Sequence, residues 1–485
     1  MEQAPFRRAH PIMILYHLRS VLYLIIIPFL RGLVAVIQGG LSAWGQGIWL
    51  DFLILIGMLG ISVLRWFLCR YRYDESHIRM RSGVFFYRDI SLDWDKVTTL
   101  SVIRSLVLRP VRAVLLRVDT MGGNRRDADI SIYLHRSDVQ KMVGVYSAAS
   151  GREVEEEEKD EVYRPSFPSI LALSALSTNS FVGVVYIATF ISQSGRILGD
   201  RFSQMLIGTF EELARTLAFN IPPAAAAIAY IMLIAWLVGV IIALLRYKGF
   251  SVRRKGDSLR LYGGLFTHRE YVITTGNVNY LDIRQNMLTY LLRLYSMYIS
   301  AVGCGKDRSD LTCVIPFESI KKFRQRAHQL FPGFQDCPLT VRPYRDGILR
   351  YLSDPLLFCL AIPLAMVTCF LLLPSWFSFI LFVGIMALIP ALFFFAMRFT
   401  EYLTSGVGRA DGLLTMRYSF AFTLHTLIIP EDKIAKVVIR QSLFQRIGGH
   451  NCDLLVYTVS EGSTRHKCRN LKRTEVEAFF GLSQK

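Results

Sequence analysis

The sequence predicts a membrane α-helical protein that also carries all-β modules. Six transmembrane helices are arranged in three hairpins, and each hairpin is followed by a strand-rich module that closes in a helix. Three observations predict this. Of the 485 residues 52% are hydrophobic, mean hydropathy is +0.35, and the apolar residues cluster in runs instead of spreading through one large core. The runs come in three pairs, each followed by roughly 90 to 105 residues of more polar sequence. Those polar segments resemble one another, the mark of an internal repeat.

The six runs cover about residues 14–37, 48–69, 167–192, 221–245, 355–373 and 376–397. Each is close to the roughly 20 residues that cross about 30 Å of hydrocarbon. The last three contain no charged residue, whereas Arg19 and Arg31 interrupt the first. Arg7 and Arg8 precede no short apolar core with a small-residue cleavage site, so no cleavable signal is expected. The resulting organisation is a first transmembrane pair in 1–69 and a module in 70–150. An acidic linker follows in 151–166, then a second pair in 167–245 and a second module in 246–345. A third pair in 346–397 and a third module in 398–485 complete it. The linker opens with REVEEEEKDE, which reads as a solvated segment. Between the third and fourth runs, residues 193–220 place Leu198, Phe202, Met205, Leu206, Thr209, Leu213 and Leu217 on one helical face. That fits an amphipathic helix in the outer interface, or a simple extension of the neighbouring spans.

Within the modules, IRMRSG from Ile78 and LRLYGG from Leu259 alternate apolar and polar residues, the period of a half-buried strand, and their glycines allow a tight turn. The third copy reads LTMRYSF from Leu414 and lacks the glycine. A phrase recurs downstream: VIRSLVLR from Val102, DIRQNML from Asp282 and VIRQSLF from Val438. Val97, Val278 and Ile434 align just before it, and Leu106, Met287 and Leu443 within it. Further strands, polar turns and a helix opened by an acid or hydroxyl close each copy. Such a module is a small β-sandwich or partly open barrel of about 100 residues.

Two membrane helices followed by IRxRSGxxF and a later IRxxLxxR phrase resemble the bacterial membrane-flanked PH-like domain family, and the threefold copy is similar to its long, YdbT-like members. The resemblance covers nearly the whole chain. It implies a pleckstrin-homology-like fold for each module. It also implies a non-enzymatic role in the bacterial envelope, linked to resistance against membrane-active peptides and shared with a smaller membrane protein that carries one PH-like module.

Charge sets the expected orientation. Residues 70–150, 246–345 and 398–485 net +5, +10 and +5, while 38–47 carry no charge and 193–220 net zero. By the positive-inside bias, both termini and all three modules are cytoplasmic, in a multi-pass inner-membrane protein. Arg253, Arg254 and Lys255 follow the fourth run closely and are candidates for contact with anionic lipid headgroups, the alternative being that they only fix topology. The basic residues lack the aromatic interleaving of a nucleic-acid surface, so no nucleic-acid partner is expected. Membrane lipids and the one-module protein are the expected partners, in a hetero- or homo-oligomer.

No catalytic or phosphate-binding motif is present, and the nine histidines and eight cysteines lack ligand spacing, so neither a metal nor another cofactor is expected. The repeated phrase nominates Arg104, Arg284, Gln285, Arg440 and Gln441, for packing first and for a shared binding surface second. Arg284 and Arg440 are candidates for joints between modules. Arg31 and Asp51 lie at similar depth on either side of the first hairpin and are nominated as an intramembrane polar pair, against independent snorkelling. The rival readings are a transporter or lipid-handling protein, and an enzyme whose site no motif marks.

Overall fold

In a computed structural model the described residues are 5–46, 48–84, 86–122, 128–149, 161–176, 236–304, 311–343, 348–420, 422–442, 445–446, 451–459 and 464–481. The acidic run 151–160, the outer segment 193–220, Leu443, and most of the third and fourth runs lie outside them. The chain divides into two compact units. The first holds Met1–Asp160 with Arg253–Asn277, and the second holds Glu161–Val252, Val278–Gly305 and Ser309–Lys485.

The first unit begins with helices α1 (Met13–Val21), α2 (Ile26–Gln46) and α3 (Ile48–Leu68). A short 3-10 turn, Leu22–Ile25, separates α1 from α2. Strands β1 (Arg7–Arg8), β2 (Arg70–Tyr73), β3 (His77–Ser82) and β4 (Arg88–Asp93) form one antiparallel sheet. A meander follows of β5 (Val97–Ser105), β6 (Ala113–Thr120) and β7 (Ile130–His135), then helix α4 (Arg136–Ala149). Burial alternates along β3 and β7 as period-2 sequence requires. Tyr71, Ile78 and Met80 of the first sheet, Leu100, Val102, Leu116 and Ile132 of the second, and Val139, Met142 and Tyr146 of α4 share one core. Trp94 fills its middle and donates its indole N–H to the Asp74 carbonyl at 2.9 Å.

This meander does not end at its own repeat. β5 pairs antiparallel with β11 (Thr267–Thr274), which pairs with β10 (Ser258–Gly263), and β9 (Ser251–Lys255) lies next to β10. The hairpin of the second repeat thus extends the sheet of the first, with His268 opposite Arg104.

The second unit repeats the arrangement. β12 (Val278–Asn286), a one-turn helix α7 (Met287–Leu291), β13 (Leu294–Ala301), β14 (Cys313–Ser319) and helix α8 (Ile320–Leu330) are the later half of repeat two. β12 pairs with β17 (Thr423–Pro430), which continues into β16 (Leu413–Phe420) and β15 (Gly406–Ala410), the hairpins of repeat three. A separate sheet of β18 (Ile434–Arg440), β19 (Asn451–Thr458) and β20 (Thr464–Lys472) precedes helix α11 (Arg473–Phe479). Val407, Leu414, Met416, Leu427, Leu454, Val456, Leu471 and Val476 form its core. Of the aligned positions before the phrase, Val97 and Val278 are fully buried and Ile434 is half-buried against this core.

Two glycine turns form as the sequence predicts. Gly83 has φ +126°, and a Cβ there would lie 1.9 Å from the Phe86 carbonyl oxygen; Gly264 has φ +108°. Asp411 and Gly412 both have positive φ, the two-residue turn that an Asp-Gly pair favours. The third copy closes the equivalent hairpin without glycine and places Phe422 at φ +64°, a conformation that costs a non-glycine residue roughly 1–2 kcal/mol. The expected hydroxyl cap of α8 is not used: Ser319 makes no side-chain bond there, and α11 starts from Lys472. The capping box of the second unit is instead Asn286 with Thr289, on α7.

Among the described residues four helical stretches are long and apolar enough to cross a membrane: Met13–Val34, Ile48–Leu68, Tyr351–Leu372 and Val383–Thr404. The last two belong to α9 (Ile348–Leu372) and α10 (Phe377–Thr404), joined by the turn Pro374–Trp376. Strand β8 (Glu161–Tyr163) precedes a shorter apolar helix, α5 (Phe167–Leu176), at the start of the third predicted run, and a second, α6 (Trp236–Tyr247), lies at the end of the fourth.

Candidate functional site: polar clusters at the repeat seams

The repeated phrase ends the strand that forms each seam, and its polar side chains act as clasps. Gln285 donates from Nε2 to the Leu294 carbonyl at 2.9 Å, and Gln441 donates to the Asn451 carbonyl at 2.9 Å. Each bond reaches the first residue of the next strand and closes the connection. Gln441 also accepts from Arg473 of α11 at 2.7 Å. Arg104 occupies the same slot in the first repeat but turns across the seam, to Glu270 of β11 at 3.4 Å. Arg284 sits at the second seam, opposite His425 of β17. Arg440 lies exposed on β18, which has no seam partner among the described residues.

The second seam contains a polar cluster that sequence reading missed. Asp282 is buried; its carboxylate accepts from Arg284 Nε at 2.6 Å and lies 3.0 Å from His425 Nδ1. Burial pushes this carboxyl up, but His425 and Arg284 outweigh it and hold the acid below its ordinary value. Arg284 also stacks on Tyr298, with its guanidinium carbon 4.1 Å from the ring centroid. Tyr418 lies parallel to His425 at 5.3 Å and bonds through its hydroxyl to His466 Nδ1 at 2.9 Å. Burial drives the His466 imidazole down to about 4, so it is neutral at pH 7. The spacing D-x-R did carry a signal, because residues i and i+2 of a strand share a face; the histidines come from distant strands and carried none.

Beside this cluster a cavity of about 550 Å³ opens between the seam strands and α8. Tyr418 and His425 line one side, Phe323 and His328 another, and Arg417 closes it through an ion pair with Asp336 at 2.6 Å. Asp282 is engaged by two partners, Arg284 of its own strand and His425 of β17, so the cluster ties the two seam strands together through side chains as well as backbone. The described residues hold no cluster of metal-ligand type.

Arg31 and Asp51 meet. Arg31 Nε donates to one carboxylate oxygen at 2.9 Å and Nη2 to the other, a two-pronged pair joining α2 to α3. Near the other end of α3, Arg65 donates to the Ser20 hydroxyl of α1 at 2.8 Å. The three headgroup candidates lie on β9. Arg253 is exposed with its guanidinium carbon 5.7 Å from the Tyr262 ring centroid, Arg254 donates to the Gly256 carbonyl at 3.0 Å, and Lys255 is exposed.

A curated relative, the UPF0699 transmembrane protein YdbT of Bacillus subtilis (strain 168), is 23% identical over 326 residues, covering 63% of this chain and 65% of the relative. The match thus spans a little under two thirds of that relative's length. No solved structure matches. With four helices among the described residues apolar enough to cross a bilayer, the relationship makes this a membrane protein with PH-like modules. The model of the bacterial PH domain matches three times, over residues 21–150, 206–330 and 360–484, and the chain belongs to that family.

Proposed function

We propose that the chain is a non-enzymatic, polytopic scaffold of the bacterial inner membrane. Six transmembrane helices form three hairpins, and the termini and three PH-like modules lie in the cytoplasm. The scaffold holds a smaller membrane protein bearing one PH-like module, and the pair contributes to resistance against membrane-active peptides. The last point rests on the family resemblance.

One observation carries the scaffold reading. β5 and β12 each accept the hairpin of the following repeat, while β18, their counterpart in the third repeat, pairs only with β19 among the described residues. An open edge of this kind is a template for strand addition. A one-module partner brings the missing hairpin. Purification in native nanodiscs, with a photo-crosslinking residue at Arg440, tests this: mass spectrometry is expected to find one membrane protein with a single PH-like module crosslinked there. Absence of any such protein refutes the reading. The cavity of about 550 Å³ favours a second reading, lipid handling. Substrate-dependent flux in proteoliposomes is the result that would establish it.

A further inference from the structure

At the tip of the first seam, four arginines surround one cavity. Arg104, Arg109, Arg112 and Arg136 line it together with His268, and its volume is about 400 Å³. The backbone gathers them. Arg112 has φ +54°, its N–H bonds the Arg109 carbonyl at 3.0 Å, and the Arg136 N–H bonds the Arg112 carbonyl at 3.3 Å. Glu270 partly neutralises Arg104. Among the described residues no carboxylate pairs with Arg109, Arg112 or Arg136, and no acid lines the cavity.

Apolar side chains stand exposed beside these arginines. Val107 is 82% exposed and Phe266 54%, and Leu106 and Val111 are also open. The Leu106 N–H bonds the Phe266 carbonyl, so both halves of the tip are one structure.

Two observations set this tip at the membrane. His10, three residues before α1, contacts the Val111 carbonyl through Nε2 at 3.0 Å, which brings Arg112 to the foot of a membrane-crossing helix. The corresponding tip of the second unit is also informative. Thr267 pairs with Ser105 and Thr423 with Asn286, so Phe422 corresponds to Phe266 and Met287 to Leu106. Phe422 packs on Phe393 and Phe394 at 5.6 and 6.0 Å, and Met287 accepts from Thr400; all three partners lie within the span Val383–Thr404. In the second unit the tip is seated on a membrane helix; in the first its apolar residues are exposed and its arginines converge.

We propose that the first tip dips into the bilayer surface and that Arg109, Arg112 and Arg136 bind the phosphodiester of an anionic phospholipid headgroup, with Arg104 and His268 at the back of the cavity. Guanidinium groups suit this ligand because each presents paired N–H donors to phosphate oxygens, and exposed apolar neighbours anchor the tip among acyl chains. The site is separate from Arg253–Lys255. It rests on the membrane-spanning reading of the helices but not on the partner reading.

Native mass spectrometry of the full chain in detergent tests it, with phosphatidylglycerol, phosphatidylcholine and inorganic phosphate as separate probes. The wild type is expected to retain phosphatidylglycerol, to retain phosphatidylcholine weakly, and to keep its lipid when inorganic phosphate is added. Replacement of Arg109, Arg112 and Arg136 by Gln is expected to weaken phosphatidylglycerol retention by roughly tenfold or more, and the single R109Q to weaken it less. Lys321→Gln with Lys322→Gln, on exposed positions of α8, is expected to retain it. Equal retention of both lipids, unchanged binding in the triple variant and in R109Q, an equal loss in the Lys321/Lys322 control, or displacement by inorganic phosphate each overturns the proposal. A triple variant that loses lipid but still crosslinks from Arg440 leaves the partner reading intact, and the reverse result separates the two equally well.

Discussion

At the residue scale, the Arg31–Asp51 pair and His466 make opposite use of a low-dielectric setting. Arg31 and Asp51, on two helices apolar enough to cross a membrane, meet through two aligned hydrogen bonds between guanidinium and carboxylate. Removing one leaves the other uncompensated, so Arg31→Ala and Asp51→Ala are each expected to lower the midpoint of thermal unfolding in detergent. The double variant is expected to fall no further than the worse single one. Strictly additive losses would mean that each group reaches the interface alone. His466 instead sits neutral among Tyr418, Tyr280 and Thr458, with Asp282 and His425 acting on it from the seam. Its folded value of about 4 lies below the 6.5 of an unperturbed imidazole. As pH falls through 6.5 the unfolded chain takes up a proton that the folded module refuses until about 4. The contribution of His466 is therefore full above 6.5, declines between 6.5 and about 4, and levels off below. The integrated loss is about 3 kcal/mol. Urea unfolding of wild type and H466Q across that window checks this: the pH slope is expected to be clearly steeper in the wild type than in the variant, and equal slopes would refute it.

At the scale of elements, the recurring phrase shows what a single sequence reveals and what it hides. Period-2 alternation and the Gly turns located β3 and β10, and apolar runs located α3 to within one residue and α9 and α10 to within one residue at one end and seven at the other. The polar letters of the phrase were harder, because a clasp is defined by the backbone carbonyl it reaches and not by its neighbours in sequence. Gln285 and Gln441 make the same bond, whereas Arg104, too long for it, goes across to β11. Each amide clasp is expected to contribute about 1 kcal/mol, the usual net value of one intramolecular hydrogen bond. Gln285→Ala and Gln441→Ala should each show that loss, with faster amide hydrogen exchange at the starts of β13 and β19 respectively. Exchange unchanged at both sites would remove the clasp role.

At the scale of the whole molecule, the threefold repeat and the pairing of α2 with α3 and of α9 with α10 were legible, and the exchange of strands between repeats was not. Hydropathy marks where the chain crosses from lipid to water, but sheet edges are matched by backbone groups that every sequence carries. Hence β11 reads as part of the second repeat and pairs with the first, and β17 reads as part of the third and pairs with the second. That exchange makes orientation a shared property: a hairpin annealed to its neighbour's sheet must lie on the same side of the membrane. The expectation from charge, +5, +10 and +5 on the three modules against near-neutral outer segments, therefore applies to all three together. Single cysteines read it out with a membrane-impermeant maleimide. Five of the eight native cysteines are buried and Cys359 and Cys369 lie in α9, so only Cys304 needs replacement by Ser. Cysteines at Asn124, Lys306 and Thr464 should label only after the cells are opened, and those at Ser42 and Gln204 in intact cells. Asn124, Lys306 and Gln204 fall outside the described residues, so for them the expectation rests on charge alone. Thr464 begins β20, in the sheet packed against β16 and β17, and adds the strand-exchange constraint. Labelling of the Lys306 position in intact cells would break the charge argument. Opposite results at Lys306 and Thr464 would break the sheet argument as well, because β12 and β17 cannot stay paired across a bilayer.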